Sequence, residues 1–179
     1  MKRQNRSFSH LLMMVLVFLF VAAMSFTGAF AADVIKSNAD EHGELGDLQQ
    51  GMSDEEVIKE IGKPDKKTKP TYWGATGDYH SDWTYAKLGI KLDMVSPTPE
   101  SDDITVCSIT ATAPCKFKTP LGVGVGSKDH YVRKMYAKYE KDEHFSNNNT
   151  LVIGSIYGGL MFKFKNGVVA EIFIGAGAE

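Results

Sequence analysis

The chain has 179 residues and a nearly balanced charge, 20 Lys and Arg against 22 Asp and Glu, with 43% hydrophobic residues. Three of the cations sit at the extreme N-terminus; without them the net charge is −5 and no basic run is left, which excludes nucleic acid and an anionic membrane surface as expected partners. The length suits one compact domain or two small halves packed together.

Residues 1–31 have the organisation of an export signal. Lys2, Arg3 and Arg6 give a charged start, Leu11 to Met24 is apolar, and Ala29-Phe30-Ala31 offers small residues for cleavage. The apolar stretch is shorter than the roughly 20 residues a membrane span needs, so cleavage is expected rather than an uncleaved anchor. The product would be a 148-residue protein of the periplasm or the extracellular medium, without stable membrane insertion. No cysteine lies near Ala31, which removes a lipid-attachment site. Residues 32–47, polar and carrying Asp33, Asp40, Glu41 and Glu44, predict a flexible lead-in.

The rest of the chain repeats itself. Gly51-Met52-Ser53-Asp54-Glu55-Glu56-Val57 returns as Gly126-Ser127-Lys128-Asp129-His130-Tyr131-Val132, and each copy runs into strand signals. The expected fold is α+β, with two tandem helix-plus-antiparallel-sheet repeats, residues 48–119 and 120–179, forming a two-layer sandwich with one open sheet face. In the first repeat Ser53 can cap a helix, with Glu56 completing a capping box; Val57, Ile58 and Ile61 form its buried stripe, and Gly62 with Pro64 ends it. The second helix is predicted from Ser127, with Tyr131, Val132, Met135, Tyr136 and Tyr139 at core spacing. Asn147 to Asn149 mark a loop, in which Asn148-Asn149-Thr150 fits the glycosylation sequon.

The strands assign their own faces. A two-residue turn at Lys87-Leu88 puts Trp83, Tyr85, Ile90 and Leu92 on the inner side. A three-residue loop Lys165-Asn166-Gly167 pairs Phe164 with Val168, Phe162 with Ala170 and Leu160 with Ile172, leaving Met161, Lys163, Glu171 and Phe173 on the opposite, open face.

Cys107 and Cys115, eight positions apart, can bridge if the chain turns back through Ala113-Pro114, and an exported protein meets oxidising conditions. A disulfide is therefore expected; a reduced pair and half of a metal site are the rival readings.

Gly-x-Ser-x-Glu-Glu-Val at 51–57, Gly-Lys-Pro-Asp at 62–65, the aromatic strand Trp83-Thr84-Tyr85 and Phe-Lys-Asn-Gly-Val-Val at 164–169 together resemble the β-lactamase-inhibitory-protein-like superfamily, which also holds the SmpA/OmlA outer-membrane assembly lipoproteins. The resemblance covers about residues 48–174 and implies a two-layer repeat fold and a protein-binding role. The tandem repeat, the export signal and the cysteine pair are similar to the secreted inhibitor; the missing lipid-attachment cysteine departs from the assembly lipoproteins. No inhibitor contact residue matches a position here.

Catalytic patterns are weak. His80-Ser81-Asp82 lies on an extended segment whose neighbours point to alternate faces, so it reads as a polar loop between strands. His42, His130 and His144 lack metal-ligand spacing. Gly122 to Gly126 lacks the Lys-Ser/Thr of a phosphate loop and reads as the lead into the second repeat. The sequence thus predicts a non-enzymatic module, without cofactor or metal, that binds another protein. The contact residues would be Tyr72, Trp73, Tyr79 and His80 on a loop from Thr71 to Asp82, with Met161, Lys163 and Phe173 on the open face. Inhibition of an extracytoplasmic enzyme is the role in view; an envelope scaffold or outer-membrane assembly factor is the alternative, and a small-molecule-binding module or enzyme comes third.

Overall fold

The computed structural model describes residues 43–139 and 141–177, so the signal expected at 1–31 and the lead-in as far as residue 42 lie outside the described residues. The remainder of that lead-in is not loose chain. Glu44–Leu45 (β1) and Leu48–Gln49 (β2) pair as a small hairpin, with Leu45 and Leu48 fully buried.

The first helix, α1 (Asp54–Ile61), begins and ends where its signals place it. The Glu56 backbone N–H donates to Ser53 Oγ at 3.2 Å, and the Ser53 N–H donates to the Glu56 carboxylate at 2.8 Å. These bonds favour the ionised carboxylate and hold Glu56 below the usual carboxyl range. Gly62, at φ +82°, ends the helix in a conformation that costs glycine least. Val57 is buried, while Ile58 and Ile61 rest against the core. Ser53→Ala should lower stability by about 1 kcal/mol, and Ser53→Gly by only a few tenths. Thermal melting checks this, and an unchanged midpoint in Ser53→Ala would deny the cap any energetic role.

Strands make up most of the chain beyond α1. In chain order they are β3 (Lys66–Lys67), β4 (Thr71–Trp73), β5 (Asp78–Tyr85), β6 (Ile90–Ser96), β7 (Thr105–Thr112), β8 (Thr150–Ser155), β9 (Gly158–Lys165) and β10 (Val168–Gly175), with a second helix, α2 (Asp129–Met135), before β8. They form one eight-stranded antiparallel sheet of order β3-β5-β6-β7-β10-β9-β8, with β4 also beside β5. The α+β expectation of two helix-plus-sheet repeats is overturned. The helices contribute only eight and seven residues, and β7 pairs with β10 from Ile109↔Ile174 to Thr112↔Glu171, fusing all the strands into one ladder. The molecule is a β-rich sandwich in which one large sheet is covered on one side by the β1–β2 hairpin and the two short helices.

The core lies in that interface. Alternation along the strands sends Trp83, Tyr85, Leu92, Ile109, Phe162 and Ile172 inward, against Leu45, Leu48, Val57, Val132 and Tyr136. The aromatic stripe does not extend α2 to Tyr139. The helix stops at Met135, Tyr131 remains 41% exposed, and Tyr136 is buried with its hydroxyl 2.9 Å from Thr119 Oγ1 and its ring 5.1 Å from Phe162.

Three local expectations are corrected. The β9–β10 loop has two residues, Asn166 and Gly167 at φ +53° and +74°, so Val168 pairs with Lys165 and Val169 with Phe164. A bulge between Val169 and Glu171 then brings Ile172 opposite Phe162, where Ala170 was expected. Thr71 to Asp82 is not a loop but the β4–β5 hairpin, with Gly74 to Gly77 at its tip. No disulfide joins Cys107 and Cys115. The turn through Ala113-Pro114 exists, closed by the Cys115 N–H on Thr112 O, but β7 first runs five residues beyond Cys107. At about 3.3 Å per residue that puts the two far outside the roughly 7 Å a disulfide permits. Cys115 is buried in the core, where desolvation pushes its thiol pKa up.

Candidate functional site

The face of the sheet away from the helices was expected to be open. It is partly furnished with side chains and grooved. His80, Asp82 and Thr84 on β5 stand beside Val95, Asp93 and Lys91 on β6; Met161 and Lys163 on β9 stand beside Phe173 and Glu171 on β10. Two adjoining grooves cross it. One, of about 540 Å³, is lined by Trp73, Asp82, Lys91, Asp93, Cys107 and Phe173 among others. The second, of about 460 Å³, is lined by Phe145, Val152, Ile156, Met161, Lys163 and Phe173 among others. Phe173, Ala176 and Gly177 belong to both grooves.

The C-terminal stretch shapes this face. The Gly177 N–H donates to Ile156 O at 2.7 Å, and a Cβ on Gly177 would lie 2.3 Å from Met161 Cε. The backbone at Gly177 thus lies directly over the end of the methionine side chain. Met161, expected on an open surface, is therefore only 7% exposed, and Val152 beside it is fully buried.

The β4–β5 hairpin supplies the aromatic residues. Trp73 faces outward, 41% exposed, its ring stacked on His80 with centroids 4.2 Å apart. Tyr72 and Tyr79 sit across from each other on the opposite face, their rings 5.4 Å apart and tilted, with Tyr72 57% exposed. His80 is buried, not a surface contact. Its Nδ1 is 2.8 Å from Asp93 Oδ2 and its Nε2 is 3.0 Å from Thr76 Oγ1. Lys163 is exposed and ion-paired to Glu171 at 2.7 Å, and Lys91 to Asp82 at 2.9 Å, so charge rims the grooves.

Of the seven expected contact residues, the structure gathers Trp73, His80, Met161, Lys163 and Phe173 on one face. Tyr72 and Tyr79 lie at the same sheet edge but on the other side. Sequence reasoning missed Asp93 and Cys107, which come from β6 and β7 to meet His80. A bulge at Asp93/Met94 leaves Cys107 as an extra residue between Val106 and Ser108, and so turns its sulfur to this face. Phe145 and the hairpin-tip Tyr157, 69% exposed, were missed as well.

Ser81 points inward between outward His80 and Asp82, so the run His80-Ser81-Asp82 does not converge; His80 instead meets the Asp93 carboxylate through Nδ1 and the Thr76 hydroxyl through Nε2. Among the described residues no helix is long and apolar enough to cross a membrane. Comparison with protein-family models, with curated proteins and with solved structures finds no match for this chain.

Proposed function

We propose that the protein is an exported, non-catalytic binding module that holds another protein against its outer sheet face, with inhibition of an extracytoplasmic enzyme as the role. The observation that supports this most is the pairing of an exposed aromatic hairpin with a grooved face. Trp73 and Phe173 line one groove together with the Asp82–Lys91 ion pair. Apolar centres with aromatic anchors and charged rims are the anatomy of protein interfaces, where Trp and Tyr carry a disproportionate share of the binding energy.

The resemblance of residues 51–57, 62–65 and 164–169 to the β-lactamase-inhibitory-protein-like superfamily supports the same reading by analogy. The test is affinity capture with the purified protein from its own envelope and medium, run beside Trp73→Ala. An inhibitor should recover a stoichiometric enzyme partner, and the variant should lose it. Recovery only with large envelope complexes would favour an assembly factor, and equal recovery by wild type and variant would count against this face.

A further inference from the structure

We propose that His80, Asp93 and Cys107 form a binding site for one divalent transition-metal ion of the zinc type, its remaining coordination position opening into the groove beside Trp73 and Phe173. Among the described residues these three side chains are the one cluster of His, Cys and carboxylate donors able to share an ion, with one donor atom from each lying within 4.8 Å of the others. The site goes beyond the protein-binding reading and does not depend on it.

Three adjacent strands build the cluster. β5 supplies His80, β6 supplies Asp93, and the bulge in β7 turns Cys107 toward them. An imidazole, a carboxylate and a thiolate are the donor set of a borderline-soft ion that prefers four ligands. Tetrahedral zinc, with metal–ligand bonds of about 2.0–2.3 Å, spaces its donors about 3.5 Å apart. The Nδ1–Oδ2 pair at 2.8 Å has to open slightly and the sulfur has to close in, both within side-chain reach. Thiolate, carboxylate and neutral imidazole neutralise a dication, which suits a site half removed from water.

The surroundings already orient the histidine. Thr76 Oγ1 lies 3.0 Å from Nε2 of His80 and 3.4 Å from Trp73 O. The contact at Nε2 leaves Nδ1 aimed at the Asp93 carboxylate, where a metal ion can sit between them. Outer partners of this kind fix ring orientation in metal sites. Trp73 stacks on the imidazole and limits its rotation. Asp93 and Cys107 line the groove, so an ion has an entry path. Because the ion takes the thiolate and the unprotonated imidazole nitrogen, binding is coupled to proton release.

The experiment is titration of the purified, thiol-reduced protein with Co2+, read by the sulfur-to-cobalt charge-transfer band and the visible bands of tetrahedral cobalt, and then displacement with Zn2+. One equivalent should bind and give both signals. Cys107→Ser should abolish the charge-transfer band and weaken binding by at least about a hundredfold, since losing even an outer partner costs 10–100-fold. Asp93→Asn, nearly isosteric, should weaken binding while melting as the wild type does, and Cys115→Ser should keep the band. No band in the wild type, a band surviving Cys107→Ser, or unchanged affinity in Asp93→Asn would each overturn the site.

Discussion

Gly89→Ala should destabilise the fold by roughly 3 kcal/mol or more, combining the cost of a left-handed non-glycine residue with that of overpacking. Gly89 has φ +65° in the turn between β5 and β6, and a Cβ there would lie 2.3 Å from Thr112 O, 2.7 Å from Cys115 N and 2.9 Å from Pro114 N. All three are backbone atoms, so no side chain can swing aside. The Thr112 N–H also donates to Gly89 O at 2.9 Å, which ties this turn to the end of β7. Gly122→Ala is the control: its φ of +77° is similar, but nothing lies within 4 Å of its added Cβ. Only the conformational cost of about 1 kcal/mol should remain there. Denaturant unfolding of the two variants makes the comparison, and equal losses would mean that the close approach at Gly89 carries no energy.

Phe162→Ala should cost about 3–5 kcal/mol, the range for truncating a buried aromatic. Phe162 is fully buried on the inner face, between Leu151 of β8 and Ile172 of β10 and against the Tyr136 ring. Phe173, on the neighbouring strand, faces the grooves and is only half-buried. Phe173→Ala should therefore cost clearly less than Phe162→Ala in the same unfolding experiment. Similar losses would contradict the assignment of the two faces of the sheet.

Much of this architecture could be read from single residues. The Ser53–Glu56 box and Gly62 bounded α1, and the alternation in Trp83-Thr84-Tyr85 and Ile90-Lys91-Leu92 set both the face and the register of that hairpin, because a one-residue slip would expose every apolar side chain. Where local signals overlapped, the reading failed. Asn166 joins Gly167 in a left-handed conformation, so the tighter loop won and a bulge at Ala170 absorbed the difference. The aromatic spacing through Tyr139 is equally satisfied by a two-turn helix that ends in a turn, and this shortened α2. Matched helix starts also gave the helices too much weight against a sheet that runs continuously through both halves.

The candidate site was legible in part. Exposed aromatics in a polar, glycine-containing segment marked Tyr72 and Trp73, and the outward parity of β9 and β10 marked Lys163 and Phe173. What could not be read was the meeting of His80 with Asp93 and Cys107. Their separations of 13 and 27 positions match no ligand spacing, and the convergence depends on the pairing of three strands and on a bulge that no local residue announces.

Binding through the outer face is tested most directly by measuring, on wild type and Trp73→Ala, both the melting temperature and the dissociation constant for the partner recovered by capture. Trp73 is 41% exposed and its main contact is the His80 ring, so its loss should lower stability only by the worth of one stacked pair, about 0.5–1.5 kcal/mol. As an interface anchor it should weaken binding by roughly 2 kcal/mol or more, about thirtyfold. A large fall in melting temperature with an unchanged dissociation constant for the folded fraction would contradict the proposal and make Trp73 a structural cover for His80.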